Sequence, residues 1–527
     1  MKVEQIYTGC LAEAAYYIES AGEVAIIDPL RESKPYIERA EKDNAQIKYV
    51  FETHFHADFV SGHIDLSNKT GATIVFGPTA QPAYPAYIAE DGEEFKVGNI
   101  KIKVLHTPGH TMESSTFLLI DENGKENAIF SGDTLFIGDV GRPDLAVKSD
   151  LTQEDLAGLL YESLQNKILT LPDDVIVYPG HGAGSACGKN MSKETTDKLG
   201  NQKRFNYALQ AKSKEQFVKE VLTGLVTPPQ YFPKNAVMNK MGYANVDEVI
   251  AKGTQALSPA AFEAASNEEN ALVLDVRAAK DFAKGFIPNA INIGLEGQFA
   301  SWVGTLITDL QQPILLITEE GNEEEAVLRL SRVGYDNCIG YLKGGFEAWA
   351  ADGREVDTVA TISAEDFVDK FSKDNTLKAI DVRRKSEYDS EHVIGIENAP
   401  LDFLNNYMAS IDRDATTYVH CAGGYRSMIF NSILRARGFD NLMDVKGGFE
   451  VVNKMSKHLK IASISPNLGD TRTIITHPAS TTHSKLSAEQ RAEVGITDGL
   501  VRIAVGLESV DDLIADFQQA LEKAIAE

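Results

Sequence analysis

The chain has 527 residues and a formal net charge of −26, from 77 acidic and 51 basic side chains. Because single hydrophobic cores seldom grow past about 250 residues, we expect three or four domains. The acidic charge, with no basic cluster to offset it, repels phosphate backbones and argues against nucleic acid as a partner.

Targeting and redox features predict a cytoplasmic protein. Residues 1–7 lack the apolar core of a signal peptide, and no later run approaches the ~20 apolar residues that cross a bilayer. The four cysteines are widely separated, without paired spacing, which indicates free thiols; they are Cys10, Cys187, Cys338 and Cys421. We expect no membrane partner, and the oligomeric state, a homo-oligomer included, stays open.

Metal-binding residue types cluster in the first part of the chain. Residues 47–52 are apolar and β-rich enough to predict a buried strand, so His54, His56 and Asp58 fall where that strand opens into a loop. Three further candidates each follow a later apolar run: His110, Asp133 and His181. A solvated polar turn would not account for these later partners, so we predict a metal site at four strand ends.

This ordered set resembles the metallo-β-lactamase fold, an αββα sandwich of two sheets covered by helices, with metals along one edge. The resemblance covers roughly the first 230 residues, and we expect this domain at 1–250. In the family's dinuclear hydrolases the first motif reads H-x-H-x-D-H, and its closing histidine helps to hold the second metal. That position is Phe59 here, which cannot ligate, so we predict one metal rather than two.

A site of His54, His110 and Asp133 is the 2-His-1-carboxylate arrangement, which leaves open positions on a non-heme Fe(II) for substrate and O2. Within the fold, this ligand choice is characteristic of persulfide dioxygenases, which oxidise a thiol persulfide to sulfite. The resemblance implies that the other motif residues lie beside the metal or touch it: His56, Asp58 and His181. The alternative is a dinuclear-zinc thioester hydrolase of the glyoxalase II type, in which Phe59 only weakens a second site.

Two nearby segments predict substrate contacts. Arg142 and Asp144 resemble the family's active-site rim. Cys187 and Lys189 follow His181 closely, and Lys189 is available for an anionic carrier thiol. Cys187 is either a persulfide relay or redox-sensitive thiol, or a small residue packed in a tight loop.

The sequence also contains an internal repeat of whole-domain length. Residues 272–277 recur at 377–383, with their aspartates 106 residues apart. Short apolar strands alternate with helical stretches in both copies, which predicts parallel sheets flanked by helices. Both copies resemble rhodanese domains. The expected boundaries are 251–355 and 356–452.

The second copy carries a candidate nucleophile. A strand at 417–420 runs into Cys421 and then a helix. Glycines let the loop turn its backbone N–H groups inward, and the helix presents its positive end, so a thiolate or persulfide is stabilised. Arg426 can pair with anionic thiosulfate or sulfite. We predict Cys421 and Arg426 as catalytic, with substrate contacts from Gly423, Gly424 and Ser427.

The equivalent loop of the first copy, residues 317–325, has no cysteine and five acidic residues. It would repel both a thiolate and an anionic substrate. We therefore predict that the first copy is a catalytically silent spacer or docking module.

The order of metal domain, silent rhodanese and active rhodanese resembles the multidomain persulfide dioxygenase-sulfurtransferases of bacterial sulfide detoxification. The resemblance implies one Fe(II) per metal domain. It also implies, as partners, a low-molecular-weight thiol persulfide, O2, and sulfite or thiosulfate. The carrier thiol stays open among glutathione, coenzyme A, bacillithiol and a protein thiol. A non-enzymatic sulfur-relay scaffold is a further hypothesis.

The last segment, residues 453–527, departs from the rhodanese pattern. Residues 468–484 and 499–506 resemble the C-terminal domain of the pyridoxal-phosphate (PLP) enzymes that make homocysteine from O-acetylhomoserine and sulfide. The large domain with its Schiff-base lysine is absent, so no PLP is expected. We predict a small β/α tail, which makes the whole chain an α/β and α+β multidomain protein.

Overall fold

The computed structural model describes residues 1–146, 151–374, 376–393 and 395–449. Of the C-terminal part it describes five short segments: 463–464, 474–476, 502–504, 509–510 and 512–516. The chain divides into two compact units. They are Met1–Ala278 with Ile293–Glu355, and Ala279–Asn292 with Val356–Glu527.

The first unit begins with two six-stranded sheets. In each sheet, strands that follow one another in the chain also lie side by side. The first sheet contains β1 (Lys2–Thr8), β2 (Glu13–Ser20), β3 (Glu23–Ile27), β4 (Gln46–Glu52), β5 (Thr73–Phe76) and β6 (Tyr87–Ile88). The second contains β7 (Glu94–Val97), β8 (Ile100–His106), β9 (Ser115–Ile120), β10 (Glu126–Gly132), β11 (Ile176–Pro179) and β12 (Asp197–Lys198). The predicted strand at 47–52 is thus confirmed as β4.

Aromatic side chains from both sheets fill the space between them. Phe51, Phe117 and Phe130 belong to one core cluster and are at most 1% exposed. In β4, Phe51 faces this cluster whereas Val50 belongs to a separate cluster on the other face. This follows because successive side chains of a strand point to opposite faces. The two sheets therefore form a sandwich.

Helices cover both outer faces of the sandwich. Tyr36 and Leu66 pack on the first sheet, and Leu160 and Phe217 pack on the second. The helices of this region are α1 (Lys34–Lys42), α2 (His63–Thr70), α3 (Gln153–Ser163), α4 (Leu199–Phe205), α5 (Lys214–Leu222), α6 (Phe232–Met241) and α7 (Val246–Gly253). The predicted αββα sandwich is confirmed.

The first unit continues into a parallel sheet flanked by helices. Its strands are β13 (Ala256–Leu257), β14 (Leu272–Asp275), β16 (Ile314–Ile317) and β17 (Cys338–Leu342). They lie in the order β13, β17, β16, β14, and every neighbouring pair is parallel. The helices are α8 (Pro259–Glu268), α10 (Phe299–Leu306), α11 (Glu323–Ser331) and α12 (Gly345–Ala351).

The second unit contains a second parallel sheet with the order β18, β22, β21, β19, β20. These strands are β18 (Ala360–Ser363), β19 (Lys378–Asp381), β20 (Glu397–Asn398), β21 (Thr417–His420) and β22 (Leu442–Lys446). Around them lie α13 (Ala364–Lys373), α14 (Lys385–Ser390), α15 (Leu404–Tyr407) and α16 (Tyr425–Arg435). The short α9 (Ala279–Phe282) and β15 (Ile291–Asn292) also belong to this unit. Both predicted parallel-sheet folds are confirmed.

The tail is described only in part. Three short strands, β23 (Ser463–Ile464), β24 (Ile474–Thr476) and β25 (Arg502–Ala504), form one small sheet. Residues 512–516 are helical, and most of the predicted tail lies outside the described residues. The expected domain boundaries stay predictions. Within the described part of the chain, none of the helices combines the length and apolar character needed to span a bilayer.

Candidate metal centre and sulfur-transfer loop

The metal-ligand candidates come together where four strands end. His54 follows β4, His110 follows β8 after a short loop, Asp133 directly follows β10, and His181 follows β11. Each of these side chains is 2% exposed. Four separate segments of the chain therefore place chemically reactive side chains in one buried cluster.

His54, His110 and Asp133 form the first group of donors. Their ligand atoms all lie within 4.8 Å of one another. Asp133 Oδ2 is 3.9 Å from Nε2 of His54 and 3.4 Å from Nε2 of His110. No N–H or O–H group of the described residues donates a hydrogen bond to either oxygen of Asp133. A buried carboxylate without such a donor, facing two imidazole nitrogens, fits a divalent metal ion.

Hydrogen bonds hold both imidazoles with Nε2 toward Asp133. Nδ1 of His110 donates to the backbone carbonyl of Arg142 at 2.9 Å. The Thr53 hydroxyl donates to Asp28 Oδ2 at 2.8 Å, which leaves it to accept the Nδ1–H of His54 at 3.0 Å. With the proton fixed on Nδ1, each Nε2 keeps a free lone pair for a metal. Asp28 and Thr53 were not found by sequence reasoning.

His56, Asp58 and His181 form a second group, with ligand atoms again within 4.8 Å of one another. His181 Nε2 is 3.4 Å from Asp58 Oδ2 and 3.4 Å from Asp133 Oδ1. Asp133 therefore lies between the two groups. The structure brings together all six predicted metal-site residues, and their division into ligands and neighbours stays a prediction.

Two carboxylates lie close to the ring of His56. Its Nε2 lies 3.1 Å from Asp28 Oδ1 and 3.7 Å from Glu52 Oε2. Burial opposes a charge on this ring, but Asp28, Glu52 and Asp58 together raise the pKa of His56 to about 9. The fully buried Phe59 ring packs on the His56 ring, with centroids 4.4 Å apart. An apolar ring thus occupies the position of the missing ligand.

Asn239, on α6, fixes the backbone of the loop that carries these residues. Its Nδ2 donates to the carbonyls of His56 and Phe59 at 2.8 and 2.7 Å, and its Oδ1 accepts from the Ser61 N–H at 2.9 Å. Asn239 is 1% exposed. We call residues 55–61 the metal loop.

Cys187 lies inside the same cluster. Its Sγ belongs to a group with Asp133 and His181 in which the ligand atoms are within 4.8 Å of one another. Burial, with the nearby Asp58 and Asp133 carboxylates, raises the pKa of Cys187 well above its usual range. Cys187 therefore lies beside the candidate metal ligands, and the choice between a relay or redox-sensitive thiol and a residue packed in a tight loop stays a prediction.

Arg142 and Lys189 direct their charged groups at protein atoms. Arg142 is 3% exposed and forms two hydrogen bonds with Asp144, at 3.0 and 2.7 Å. It also donates to the carbonyls of Ala186 and Val226. Lys189 Nζ donates to backbone carbonyls at the end of α5, including that of Thr223 at 3.1 Å. These contacts favour structural roles, and substrate binding by these residues stays a prediction.

The loop that we predict to transfer sulfur, residues 421–424, begins directly after β21. Cys421 is 1% exposed, and the Gly424 N–H donates to its Sγ at 3.1 Å. Gly424 has φ +102°, a conformation that favours glycine, and it precedes the first turn of α16. The Ser427 hydroxyl lies 3.7 Å from Sγ. The loop thus presents Cys421 to a backbone N–H and a helix N-terminus, as predicted from its glycines.

Arg426 is paired with Glu387, a residue that sequence reasoning missed. Its two terminal nitrogens donate to the two carboxylate oxygens of Glu387 at 2.5 and 2.8 Å. The hydrogen bonds from Arg426 lower the pKa of Glu387. The guanidinium is therefore held in one orientation beside the loop.

The first copy has no counterpart of this chemistry. The strand registers place Thr318 at the position of Cys421 and, five residues on, Glu323 at the position of Arg426. A threonine and an acid replace the thiol and the guanidinium. The prediction that this copy is catalytically silent is consistent with both replacements.

Comparison with known proteins agrees with this architecture. Residues 8–181 match the metallo-beta-lactamase superfamily, and residues 258–352 and 363–455 match the rhodanese-like domain. A metallo-beta-lactamase from Staphylococcus aureus subsp. aureus COL is 32% identical, with a TM-score of 0.58. The similarity covers 65% of this chain and 99% of that one. The chain belongs to the metallo-beta-lactamase superfamily.

Other relatives match parts of this chain. The probable hydroxyacylglutathione hydrolase glo2 of Schizosaccharomyces pombe is 33% identical over 160 residues, 30% of this chain and 58% of that protein. Residues 435–522 match the Cys/Met metabolism PLP-dependent enzymes. An L-methionine gamma-lyase of Fusobacterium nucleatum subsp. polymorphum is 55% identical over 80 residues, 15% of this chain. The chain spans only 20% of that lyase's length.

The predicted domain order is confirmed: a metallo-beta-lactamase domain, two rhodanese-like domains and a tail related to Cys/Met-metabolism enzymes. The metallo-beta-lactamase fold binds metal ions, and the buried donors described above fit such an ion. The missed residues Asp28, Asn239 and Glu387 act on motif residues that are 25, 180 and 39 positions away in sequence. No local motif contains them.

Proposed function

We propose that the metallo-beta-lactamase domain is a mononuclear non-heme Fe(II) persulfide dioxygenase, and that Cys421 transfers sulfane sulfur as a rhodanese. The dioxygenase part of this proposal is supported mainly by the first donor group, which is His54, His110 and Asp133. It contains two imidazoles held through Nδ1 and one carboxylate that faces them and receives no hydrogen bond from an N–H or O–H group of the described residues. This donor set is the one that non-heme Fe(II) oxygenases use to keep positions open for substrate and O2.

The proposed reaction converts a thiol persulfide, O2 and water into the free thiol, sulfite and two protons. When bound, iron supplies the redox chemistry that brings O2 to the outer sulfur. His54, His110 and Asp133 would hold the ion, and the Arg142 carbonyl and the Thr53 hydroxyl fix the two rings.

We assign to Asp58 and His181 the handling of the protons that this reaction releases. His181 Nε2 is 3.4 Å from Asp58 and 3.4 Å from the metal-facing Asp133, and all three side chains are at most 5% exposed. His181 Nδ1 donates to the Ala12 carbonyl at 3.3 Å, which leaves Nε2 as the acceptor. A proton leaving the site can therefore be held between Nε2 and the Asp58 carboxylate.

Phe59 supports one metal rather than two. In the related dinuclear hydrolases a histidine at this position helps to hold the second ion. Here the side chain is apolar, fully buried and packed on His56. The second group therefore lacks one of its usual donors, while the first group keeps all of its own.

In the proposed sulfur-transfer reaction, Cys421 is the nucleophile. Its thiolate attacks the outer sulfur of thiosulfate or of a persulfide, forms a Cys421 persulfide, and releases sulfite or the free thiol. In the opposite direction, the Cys421 persulfide gives its outer sulfur to sulfite, which regenerates the thiolate and yields thiosulfate. The Gly424 N–H stabilises the anionic sulfur, and Arg426 pairs with the incoming anion.

A second candidate function is a dinuclear-zinc thioester hydrolase carrying accessory rhodanese domains. Two observations favour it. The donors of His56, Asp58 and His181 lie within 4.8 Å of one another, and Asp133 lies between the two groups. The similarity to a probable hydroxyacylglutathione hydrolase points the same way.

Metal analysis of protein purified without oxygen separates the two candidates. We expect about one iron per chain, and consumption of O2 with glutathione persulfide or coenzyme A persulfide. Two zinc ions per chain, hydrolysis of a glutathione thioester and no O2 consumption would overturn the proposal.

A further inference from the structure

The guanidinium beside the loop that carries Cys421 is already paired with a carboxylate. The two terminal nitrogens of Arg426 donate to the two oxygens of Glu387 at 2.5 and 2.8 Å. Arg426 is the second residue of α16, and Gly424, whose N–H donates to Cys421 Sγ, directly precedes this helix. An incoming sulfur donor therefore meets this arginine as one half of an ion pair.

The ion pair is held on both sides. The Arg426 side chain is 16% exposed, and the more exposed Glu387 also accepts a hydrogen bond at Oε2 from the Arg384 N–H at 3.2 Å. The hydrogen bonds from Arg426 lower the pKa of Glu387, so this carboxylate is ionised at neutral pH. Glu387 therefore places a fixed negative charge against the guanidinium.

A second carboxylate lies near the same arginine. Asp402 belongs to a segment, residues 401–403, that packs on α16, and its charge interacts with that of Arg426. Asp402 Oδ1 is buried and receives no hydrogen bond from the described residues, and its Oδ2 is 3.7 Å from Nε of Arg384. Two carboxylates therefore reduce the positive charge that Arg426 can offer to a further anion.

The two kinds of sulfur donor differ in the charge beside the transferred sulfur. Thiosulfate is a dianion, and the group that leaves from its outer sulfur is sulfite. In a thiol persulfide the inner sulfur is bonded to carbon, and the group that leaves is a thiolate with one negative charge. Charge-assisted hydrogen bonds from a guanidinium bind oxyanions, and a carboxylate already bound to that guanidinium competes with them.

We propose that Glu387 is a specificity-determining residue that disfavours thiosulfate as the sulfur donor to Cys421 and leaves a thiol persulfide as the preferred donor. Glu387 acts through Arg426, because thiosulfate has to compete with a carboxylate that is already bound there. The inference rests on the sulfur-transfer reaction proposed above. In that reaction the Cys421 thiolate bonds to the outer sulfur, the S–S bond of the donor breaks, and its electron pair leaves with the carrier thiolate.

The same competition acts on thiosulfate as a product. A dianion that binds weakly as a donor also dissociates readily after it forms, because both directions pass through the same bound state. Cys421 is therefore suited to be loaded by a persulfide, the class of compound that the metal domain is proposed to oxidise, and to give its sulfur to sulfite.

The rival role of Glu387 is to keep the loop in shape. Loss of such a role would slow the loading of Cys421 from every donor, because the orientation of Arg426 and the start of α16 would change. An effect on donor choice instead changes the concentration of thiosulfate that is needed and leaves the persulfide unaffected. The two roles therefore predict different kinetics.

The test measures how fast Cys421 gains a sulfur atom, by mass spectrometry of the peptide that contains it. The full-length protein is kept without oxygen, so the proposed dioxygenase reaction consumes no persulfide. The donors are thiosulfate and the persulfide of 2-mercaptoethanol, whose carrier is uncharged. In Glu387→Gln the half-saturating thiosulfate concentration should fall about tenfold, the effect of one hydrogen bond to a charged group. The maximal rate, and both constants for the persulfide, should change by less than about twofold.

Matched variants and the wild-type protein complete the test. Glu365→Gln removes the same charge at an exposed position of α13 and should change neither donor. Asp402→Asn should shift the thiosulfate constant in the same direction as Glu387→Gln. An unchanged thiosulfate constant in Glu387→Gln, or an equal change for both donors, would overturn the proposal. A wild-type protein that needs less thiosulfate than persulfide for half-saturation would overturn it without any variant.

Failure of this inference can be told apart from failure of the proposed function. A wild-type protein that loads Cys421 from neither donor contradicts the proposed sulfur transfer, and the role of Glu387 with it. A protein that loads Cys421 from both donors, with the same preference in wild type and in Glu387→Gln, overturns the role of Glu387 alone.

Discussion

The backbone N–H of Val60 donates a hydrogen bond to the backbone carbonyl of Arg332 at 2.7 Å. Val60 belongs to the metal loop, and Arg332 directly follows α11 of the first rhodanese-like copy. Two ion pairs flank this bond: Arg332 with Glu32, and Arg31 with Asp336 at 3.1 Å. The copy whose loop lacks a cysteine therefore supports the metal loop, which is a structural role that a simple spacer would not have.

Arg332→Ala should weaken metal retention. The side chains of Arg332 and Glu32 are both 14% exposed, and removing one partner of a buried ion pair costs about 3–5 kcal/mol. We expect faster loss of the metal to a chelator and a lower Tm of the first unit. Arg354→Ala, at a pair with the half-exposed Glu263, is the matched control and should change neither. Equal metal loss in both variants would contradict the supporting role.

Asn239→Ala should destabilise the conformation of the metal loop. The substitution removes three buried hydrogen bonds to the backbone of the loop. We therefore expect the free energy of unfolding to fall by about 2–4 kcal/mol. Hydrogen exchange of the Ser61 amide should accelerate. Val237→Ala, at a 58% exposed position of the same helix, should leave that exchange rate unchanged.

Phe59→His should create a second metal site. It returns an imidazole to the position that the dinuclear relatives use, next to His56 at a ring distance of 4.4 Å. Reconstitution with zinc should raise the metal content from about one to about two ions per chain. Phe59→Leu, which stays apolar, should keep one. An unchanged content in Phe59→His would show that Phe59 does not set the metal number.

Asp444→Asn should change how stability depends on pH. The folded state raises the pKa of Asp444 from an ordinary value near 3.8 to about 6, so folding favours its protonated form. The contribution of this protonated carboxyl to the free energy of unfolding is fully present below about pH 4. It is lost as the pH rises through 6, and the total loss is about 3 kcal/mol. Asparagine does not titrate. The free energy of unfolding of the variant, relative to wild type, should therefore increase between pH 4 and 7, as measured by hydrogen exchange in β21 and β22. A constant difference would contradict the shift.

Sequence alone was sufficient for the parts of the site that lie in short motifs. The histidines after β4 and the glycines after Cys421 combine a strand end with the residue types that its chemistry needs, and the structure places them accordingly. The αββα sandwich and the parallel sheets followed from the same alternation of apolar runs and helical stretches.

The supporting residues could not be found that way. Asn239 reaches the metal loop from a helix about 180 positions later, and Arg332 reaches Val60 from another domain's sequence. Asp444 looks like an ordinary strand residue until its burial and its hydrogen bond with Asn431 are known. Such residues act through tertiary contacts, and their identity depends on the packing of whole elements rather than on local pattern.

O2 uptake by the iron-loaded protein with glutathione persulfide, measured together with sulfite release, tests the central claim most directly. We expect one O2 consumed per sulfite formed, loss of uptake in His110→Ala, and nearly unchanged uptake in Cys421→Ser, which instead should lose sulfur transfer from thiosulfate. Absence of O2 uptake by iron-replete wild-type protein, or equal uptake by His110→Ala, would contradict the account.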